Sequence, residues 1–309
     1  MSTDHLLRQG EKLWDRIRKE HPKLETTIEL QRQLVTQVIE IVRVLEENSL
    51  PKMSLGPAYI ISKLARGTPV LRGEVVPIPV SVLSPFIVAF CNQMADGGAG
   101  EVALHVRDSL KCGRIDIGSL LHSSLERDQD AIRIKALHLD LSPDLVWLVA
   151  EMSVGPLAHI LQHRFLFERG NQTTNHDVAQ AVKVWDRGYC PACGSWPALA
   201  ETYQNRRVLR CSFCGSDWQL STSRCTYCQE SAEKFVIDVP DAKRPERRLE
   251  LCGNCQGYLK CIELVDATPF TLLPIEDLAS SNLDAVATDR GYIRPSLSRL
   301  EMESAEPCQ

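Results

Sequence analysis

The chain reads as a multi-domain protein of α and small β type: an all-α N-terminal domain, two consecutive cysteine-bearing β-modules of the zinc-ribbon kind, and a C-terminal helical tail. Three observations predict it. Apolar residues recur at helical spacing through the first part of the chain, four C-x-x-C pairs fall between residues 190 and 255, and the stretches between those pairs are short, β-branched and punctuated by turn residues. The boundaries follow from these shifts in composition: a helical domain over 1–183, a first module over 184–221, a second over 222–268, and a tail with a short helix over 269–309.

In the helical part, "LLRQGEKLWDRIRKEH" repeats apolar residues at Leu6, Leu13 and Ile17. "ETTIELQRQLVTQVIEIVRVLEEN" does so at Ile28, Leu34, Val38, Ile41 and Leu45, the spacing of an amphipathic helix. Pro51, Pro57, Pro69, Pro77, Pro79 and Pro85 then predict a middle broken into short segments, because proline has no backbone N–H and clashes with the preceding helical turn. Regular helix is expected again from about Gly98. In "SPDLVWLVAEMSVGPLAHILQHRFLFE" a capping Ser142 precedes a first-position proline, and Pro156 predicts a kink or split.

The second part is an internal repeat. Its first unit runs from a knuckle (Cys190, Cys193) through strand "ALAETY", turn "QNR" and strand "RVLRC" to a knuckle at Cys211 and Cys214. The second runs from Cys225 and Cys228 through "KFVIDV", "PDAKRPE" and "RRLELC" to Cys252 and Cys255, then into "YLKCIELVD". A C-x-x-C turn points two thiolates to one side of a tight loop, and two such turns complete a tetrahedral four-sulfur site. The 17 residues between Cys193 and Cys211, and the 23 between Cys228 and Cys252, suit a hairpin that returns each knuckle to its mate. Two independent sites, paired in sequence order, are therefore expected. Gly194 and Gly215 follow their knuckles directly and Gly257 sits two places after the last, whereas the Cys225–Cys228 knuckle lacks a glycine and is the least ideal. Tetrahedral sulfur suits zinc or iron, and spacing does not choose between them.

Composition narrows the class. A formal charge of −5 disfavours a general attraction to phosphate backbones, and residues 185–266 balance 11 basic against 11 acidic side chains. Arg206, Arg207, Arg244, Arg247 and Arg248 therefore read as solvated hairpin charges, with protein docking as the second reading. No secretory apolar core opens the chain and no run of 18 apolar residues occurs, so a cytoplasmic protein without a membrane span is expected. In that compartment paired cysteines bind metal more often than they form disulfides.

Other candidates are weaker. Cys91, Cys112, Cys261 and Cys308 lie outside the paired frame, and Cys91 reads as a small buried residue. His159 and His163 stand four apart on a predicted helix without the glutamate of H-E-x-x-H or a third ligand. "DGGAGE" lacks the strand and lysine of a phosphate loop, and no catalytic residue is assigned. Trp196, Trp218 and Tyr258 are expected to pack a small core beside the knuckles. Two competing functions remain open: a zinc-ribbon nucleic-acid binder, and a thiol-disulfide oxidoreductase using one C-x-x-C as a reactive pair.

The ordered set "CPACGSWP", "LRCSFCGSDW", "RCTYC" and "LCGNCQGYLK" behind a helical domain, with the tail "IEDLASSNLDAVATDRGY", resembles the FdhE family of formate dehydrogenase accessory proteins. The resemblance implies tandem rubredoxin-like modules over 184–221 and 222–268, binding two metal ions, with iron favoured and zinc the alternative. It implies Cys190, Cys193, Cys211 and Cys214 as ligands of one site, and Cys225, Cys228, Cys252 and Cys255 as ligands of the other. It further implies a cytoplasmic, chaperone-like protein that performs no turnover, and binds the immature catalytic subunit of respiratory formate dehydrogenase.

Overall fold

A computed structural model of the chain describes residues 3–48, 53–166, 172–220 and 223–295, with 172–175 as backbone alone. The helices before the sheet are α1 (Thr3–Glu20), α2 (Glu25–Glu47), α3 (Pro57–Ala65), α4 (Val80–Met94), α5 (Gly100–Lys111), α6 (Ile117–Leu125), α7 (Gln129–His138), α8 (Pro143–Leu166) and α9 (Gln172–Lys183). Two compact units divide the chain: Met1–Ser54 with Gly73–Leu161, and Leu55–Arg72 with Gln162–Gln309. They cut across the boundary expected near residue 184. A stretch from the proline-broken middle belongs with the cysteine-bearing unit.

In the first unit α1 packs on α2, and α2 on α4. Trp14 and Ile17 are fully buried, and the Trp14 indole N–H donates to Gln31 Oε1 at 3.0 Å. The buried stripe of α2 is Ile28, Val35, Ile39, Ile41 and Leu45, while Leu34 and Val38, expected in it, are half-buried. Asp116 and Asp128 cap α6 and α7 by accepting from the N–H groups of Ser119 (2.7 Å) and Ala131 (3.0 Å).

Prolines interrupt less than the sequence suggests. Pro85 lies inside α4, where only one early backbone bond is forgone, and α8 runs unbroken through Pro156. Val149, Ala150, Val154, Leu157 and Ala158 of α8 are wholly buried, and that burial outweighs one missing hydrogen bond. By length and composition α8 could cross a bilayer, which the sequence had not suggested of any segment, but 56% of its most apolar window is buried, as in a core helix.

The second unit holds one six-stranded sheet in the order β3-β2-β1-β6-β5-β4. Its strands are β1 (Pro197–Tyr203), β2 (Arg206–Cys211), β3 (Asp217–Trp218), β4 (Phe235–Asp238), β5 (Arg247–Cys252) and β6 (Tyr258–Glu263). The first hairpin turns through Gln204 and Asn205, both at positive φ (50° and 60°), the backbone of a tight twisted hairpin. Each repeat forms an antiparallel ribbon, but the ribbons are not separate bodies. β1 pairs with β6 in parallel, Ala200 opposite Cys261 and Thr202 opposite Glu263.

The tail is likewise part of this unit. α10 (Leu273–Ala279) and α11 (Ser281–Asp289) follow the sheet, and Leu283 and Ala287 pack with Leu249, Leu251 and Tyr258. Beneath them the wholly buried Lys260 is held by Asp277 (2.8 Å) and Asp284 (2.7 Å). A buried lysine so paired is a costly group to leave alone, and it fixes the helices on the second ribbon.

Candidate metal centres

All four knuckles share one backbone frame. The N–H of the first cysteine donates to the carbonyl five residues on: Cys190 to Ser195 (2.9 Å), Cys211 to Ser216 (2.9 Å), Cys225 to Glu230 (2.7 Å) and Cys252 to Gly257 (3.0 Å). The residue after the second cysteine is left-handed in each, with φ of 84° at Gly194, 69° at Gly215, 64° at Gln229 and 58° at Gln256. Gly257 is therefore not the residue that turns the last knuckle. It is a glycine for want of space, since a Cβ there would stand 2.9 Å from the Tyr227 ring and 3.1 Å from Cys255 Sγ. The two glutamines close their turns with side-chain amides, Gln229 Nε2 donating to Thr226 O (3.4 Å) and Gln256 Nε2 to Gly253 O (2.9 Å).

Two sulfur quartets result. Cys190, Cys193, Cys211 and Cys214 form one, Cys225, Cys228, Cys252 and Cys255 the other, and within each the sulfurs lie within 4.8 Å of one another. The shortest separations are 3.6 Å (Cys190–Cys214) and 3.4 Å (Cys193–Cys211) in the first. In the second they are 3.7 Å (Cys225–Cys255) and 3.6 Å (Cys228–Cys252). A metal–sulfur bond of ~2.3 Å gives a tetrahedron with an edge of roughly 3.8 Å. Each quartet could thus hold one metal ion with little adjustment, whereas a disulfide needs sulfurs at about 2.05 Å.

The surroundings suit thiolates bound to a cation. Phe213 N and Cys214 N both face Cys211 Sγ at 3.4 Å, Tyr227 N faces Cys225 Sγ at 3.4 Å, and Asn254 Nδ2 faces Cys228 Sγ at 3.5 Å. Burial pushes the Cys190 and Cys214 thiols well above the ordinary range. In the second quartet the hydrogen bond between Cys225 and Cys255 raises the former and lowers the latter to about 5. Crowded thiols can share protons only unequally; a divalent cation removes that conflict by taking the protons' place. The first quartet is entirely buried, while Cys228 and Cys255 of the second are half-buried.

The remaining candidates sort plainly. Among the described residues no histidine joins a group of three or more potential ligands, and the two quartets are the groups with ligand geometry. Cys91 is buried and Cys112 exposed, while Cys308 lies outside the described residues. Cys261 serves neither quartet; it is buried and donates to Glu250 Oε1 at 3.2 Å.

Two of the hairpin arginines are not solvated. Arg207 grips Glu250 with two hydrogen bonds of 2.8 and 2.6 Å, linking β2 to β5, and Arg247 is buried, donating to Ala279 O at 2.8 Å. Their partners lie 43 and 32 residues away, a distance no local pattern reports. Arg210 and Glu201 form a further buried pair, with Arg210 also donating to Thr268 O at 2.7 Å.

The sequence also gave no sign of a backbone clamp on the first knuckle. Val70 N and Leu71 N donate to Pro191 O and Ala192 O, each at 2.8 Å, and the Tyr189 hydroxyl donates to Gly67 O at 2.8 Å. These bonds satisfy the carbonyls of the knuckle's two middle residues, which would otherwise be buried without partners.

Comparison with known proteins accords with this architecture. No protein-family model matches the chain. An FdhE homolog of Aquifex aeolicus is 24% identical over 259 residues, 81% of each chain. A homolog from Haemophilus influenzae strain PittEE is 34% identical over 114 residues, 36% of this chain and 37% of that one. Protein FdhE of Escherichia coli O127:H6 is 27% identical over 157 residues, 50% of this chain and 46% of that one, so these two matches span under half of either relative's length. The crystal structure of the FdhE protein from Pseudomonas aeruginosa superposes with a TM-score of 0.60 at 24% identity, covering 98% of both chains, and so shares the fold. A sequence match running through four fifths of both partners, and a fold shared with a solved FdhE structure, make this chain similar to the FdhE family.

Proposed function

We propose that the protein is an accessory factor for formate dehydrogenase, binding the immature catalytic subunit of the respiratory enzyme and required for its maturation. The observation that carries this is the pair of cysteine quartets set into the fold of the FdhE family. Each quartet holds one metal ion in this reading: Cys190, Cys193, Cys211 and Cys214 the first, Cys225, Cys228, Cys252 and Cys255 the second. The sulfur separations of 3.4–3.7 Å and the all-thiolate donor set support such ions. Iron is favoured over zinc on the family resemblance, and bound metal supplies a cross-link that a small ribbon core lacks.

In this role the protein turns nothing over and acts in the bacterial cytoplasm. Burial of the first quartet supports ligation over thiol exchange, because a dithiol catalyst must expose a thiolate to its substrate. The internal use of Arg207 and Arg247 weakens the nucleic-acid reading, since those cations are already engaged. Co-purification of the tagged chain from formate-respiring cells, with metal analysis of the complex, tests the proposal. Two equivalents of iron and the catalytic subunit are expected in the eluate. A chain that carries two metal ions but leaves the catalytic subunit in the flow-through would overturn the accessory role.

A further inference from the structure

The two centres are built from shared parts. Gly188 lies two residues ahead of Cys190, and a Cβ placed on it would overlap the carbonyl oxygen of Thr226, inside the Cys225–Cys228 knuckle. Backbone of the first centre thus rests directly on backbone of the second. Trp196, three residues beyond Cys193, is anchored in the first centre by its backbone and reaches the second with its ring. Its carbonyl accepts from the N–H (3.3 Å) and the hydroxyl (3.0 Å) of Ser212, within the Cys211–Cys214 knuckle. Its ring meets Tyr227 edge-on at 5.3 Å between centroids, and Tyr227 stands immediately before Cys228.

The contacts continue at both ends. The Trp196 ring also meets Tyr189 at 6.0 Å, edge-on, and Tyr189 is the residue before Cys190. Tyr227 donates its hydroxyl to Tyr258 O at 3.1 Å, at the start of β6, and its ring fills the space that Gly257 leaves open. The row Tyr189–Trp196–Tyr227 therefore begins one residue from a cysteine of the first quartet and ends one residue from a cysteine of the second. Tightly packed contacts of this kind transmit a displacement, because an interior at crystal-like density has no slack to absorb it.

We propose that the two centres load metal as a coupled pair, with Gly188, Trp196 and Tyr227 as positioning residues that let an ion in one quartet set the knuckle geometry of the other. This rests on the reading that each quartet holds an ion, and is indifferent to whether the ion is iron or zinc. Where metal binding and local folding are one event, ordering one set of knuckles lowers the ordering cost left for its neighbour. Coupling between sites is reciprocal and is commonly worth about 5- to 150-fold in affinity.

Native mass spectrometry of the full-length apoprotein titrated with Zn²⁺ tests this. Two independent sites, alike or unlike, leave at least about half of the chains singly loaded at half saturation, and only positive coupling drives that fraction below half. The wild type is expected to pass mainly from zero ions to two. Trp196→Ala is expected to restore the singly loaded species and Trp196→Phe to suppress it again, with circular dichroism confirming that both variants stay folded. As a second measure, Cys255→Ser in the more open quartet is expected to weaken the first quartet for Zn²⁺ by at least about fivefold. Gly188→Ala is a less clean probe because it can prevent folding, so the tryptophan pair carries the result. A singly loaded fraction of half or more in the wild type, unmoved by Trp196→Ala, overturns the coupling and leaves two metal sites standing; a folded chain that takes up no Zn²⁺ overturns the coupling and the metal reading together.

Discussion

The two ribbons solve one structural problem with different materials. Both gather four sulfurs on the same hydrogen-bonded frame, but the first turns its knuckles on Gly194 and Gly215 and buries all four cysteines, whereas the second turns on Gln229 and Gln256 and leaves Cys228 and Cys255 half-exposed. A left-handed non-glycine residue costs ~1–2 kcal/mol, and the side-chain bonds to Thr226 O and Gly253 O offset part of that. The geometry of a four-sulfur site therefore does not require glycine at the turn. It requires that someone hold the turn, and the second ribbon does so with amides. Each ribbon is also clamped by distant backbone, but at different knuckles: Val70 and Leu71 hold the Cys190–Cys193 knuckle of the first, whereas Ile293 N donates to Gln256 O (2.8 Å) behind the Cys252–Cys255 knuckle of the second.

This contrast can be broken most sharply at the ligands themselves. Cys193→Ser in the sealed quartet is expected to unfold the first ribbon at room temperature, because metal binding free energies of about 10–16 kcal/mol in small metal-stabilised domains act as folding free energy. Cys255→Ser, at the more open quartet, is expected to lower the melting temperature while leaving a cooperative transition. Thermal melts followed by circular dichroism compare the two; equal loss of structure in both would erase the distinction between a sealed centre and an open one.

The next largest effect lies at the seam between the ribbons. Glu250→Ala strands Arg207, whose side chain is 10% exposed, beside the buried Cys261, and removing one partner of such a pair costs about 3–5 kcal/mol. Urea unfolding at fixed metal loading measures it. A change under 1 kcal/mol, on the scale of ~0–1 kcal/mol for a surface ion pair, would show that the ribbons are joined by strand pairing alone.

Kinetic access separates the centres more gently. Under a strong chelator with an alkylating reagent present, Cys228 and Cys255 are expected to be modified before any cysteine of the first quartet, as peptide mapping by mass spectrometry would reveal. Labelling that begins at Cys190 or Cys214, both fully buried, would contradict the difference in exposure. The smallest effect is at the turns. Gly194→Ala is expected to cost ~1–2 kcal/mol from its φ of 84° and a Cβ only 3.2 Å from Pro69, whereas Gln256→Gly exchanges relieved strain for a lost amide bond and should fall within about 1 kcal/mol of neutral. Chemical denaturation resolves the pair, and equal costs would mean that the amide contributes nothing.

Much of the site was legible because it is local. A C-x-x-C turn and a hairpin of 17 or 23 residues confine four sulfurs by covalent geometry, so quartet membership can be read from spacing before any packing is known. The glutamine turns were missed because the expectation was tied to glycine, and the frame that repeats is a backbone conformation with no single residue as its mark. Pro85 and Pro156 misled for the opposite reason: a propensity of a few kcal/mol was weighed without the burial around it.

By itself, then, the amino-acid order determined the helical first part, the two ribbons and the eight sulfurs that meet, since each depends on residues close along the chain. Only the tertiary structure decided that the ribbons join through β1 and β6, that Arg207 reaches Glu250, that residues 69–71 grip the first knuckle and that α10 and α11 cover the second ribbon. Those contacts join segments tens of residues apart, and what selects them is the pairing of buried charges and backbone groups that have nowhere else to go.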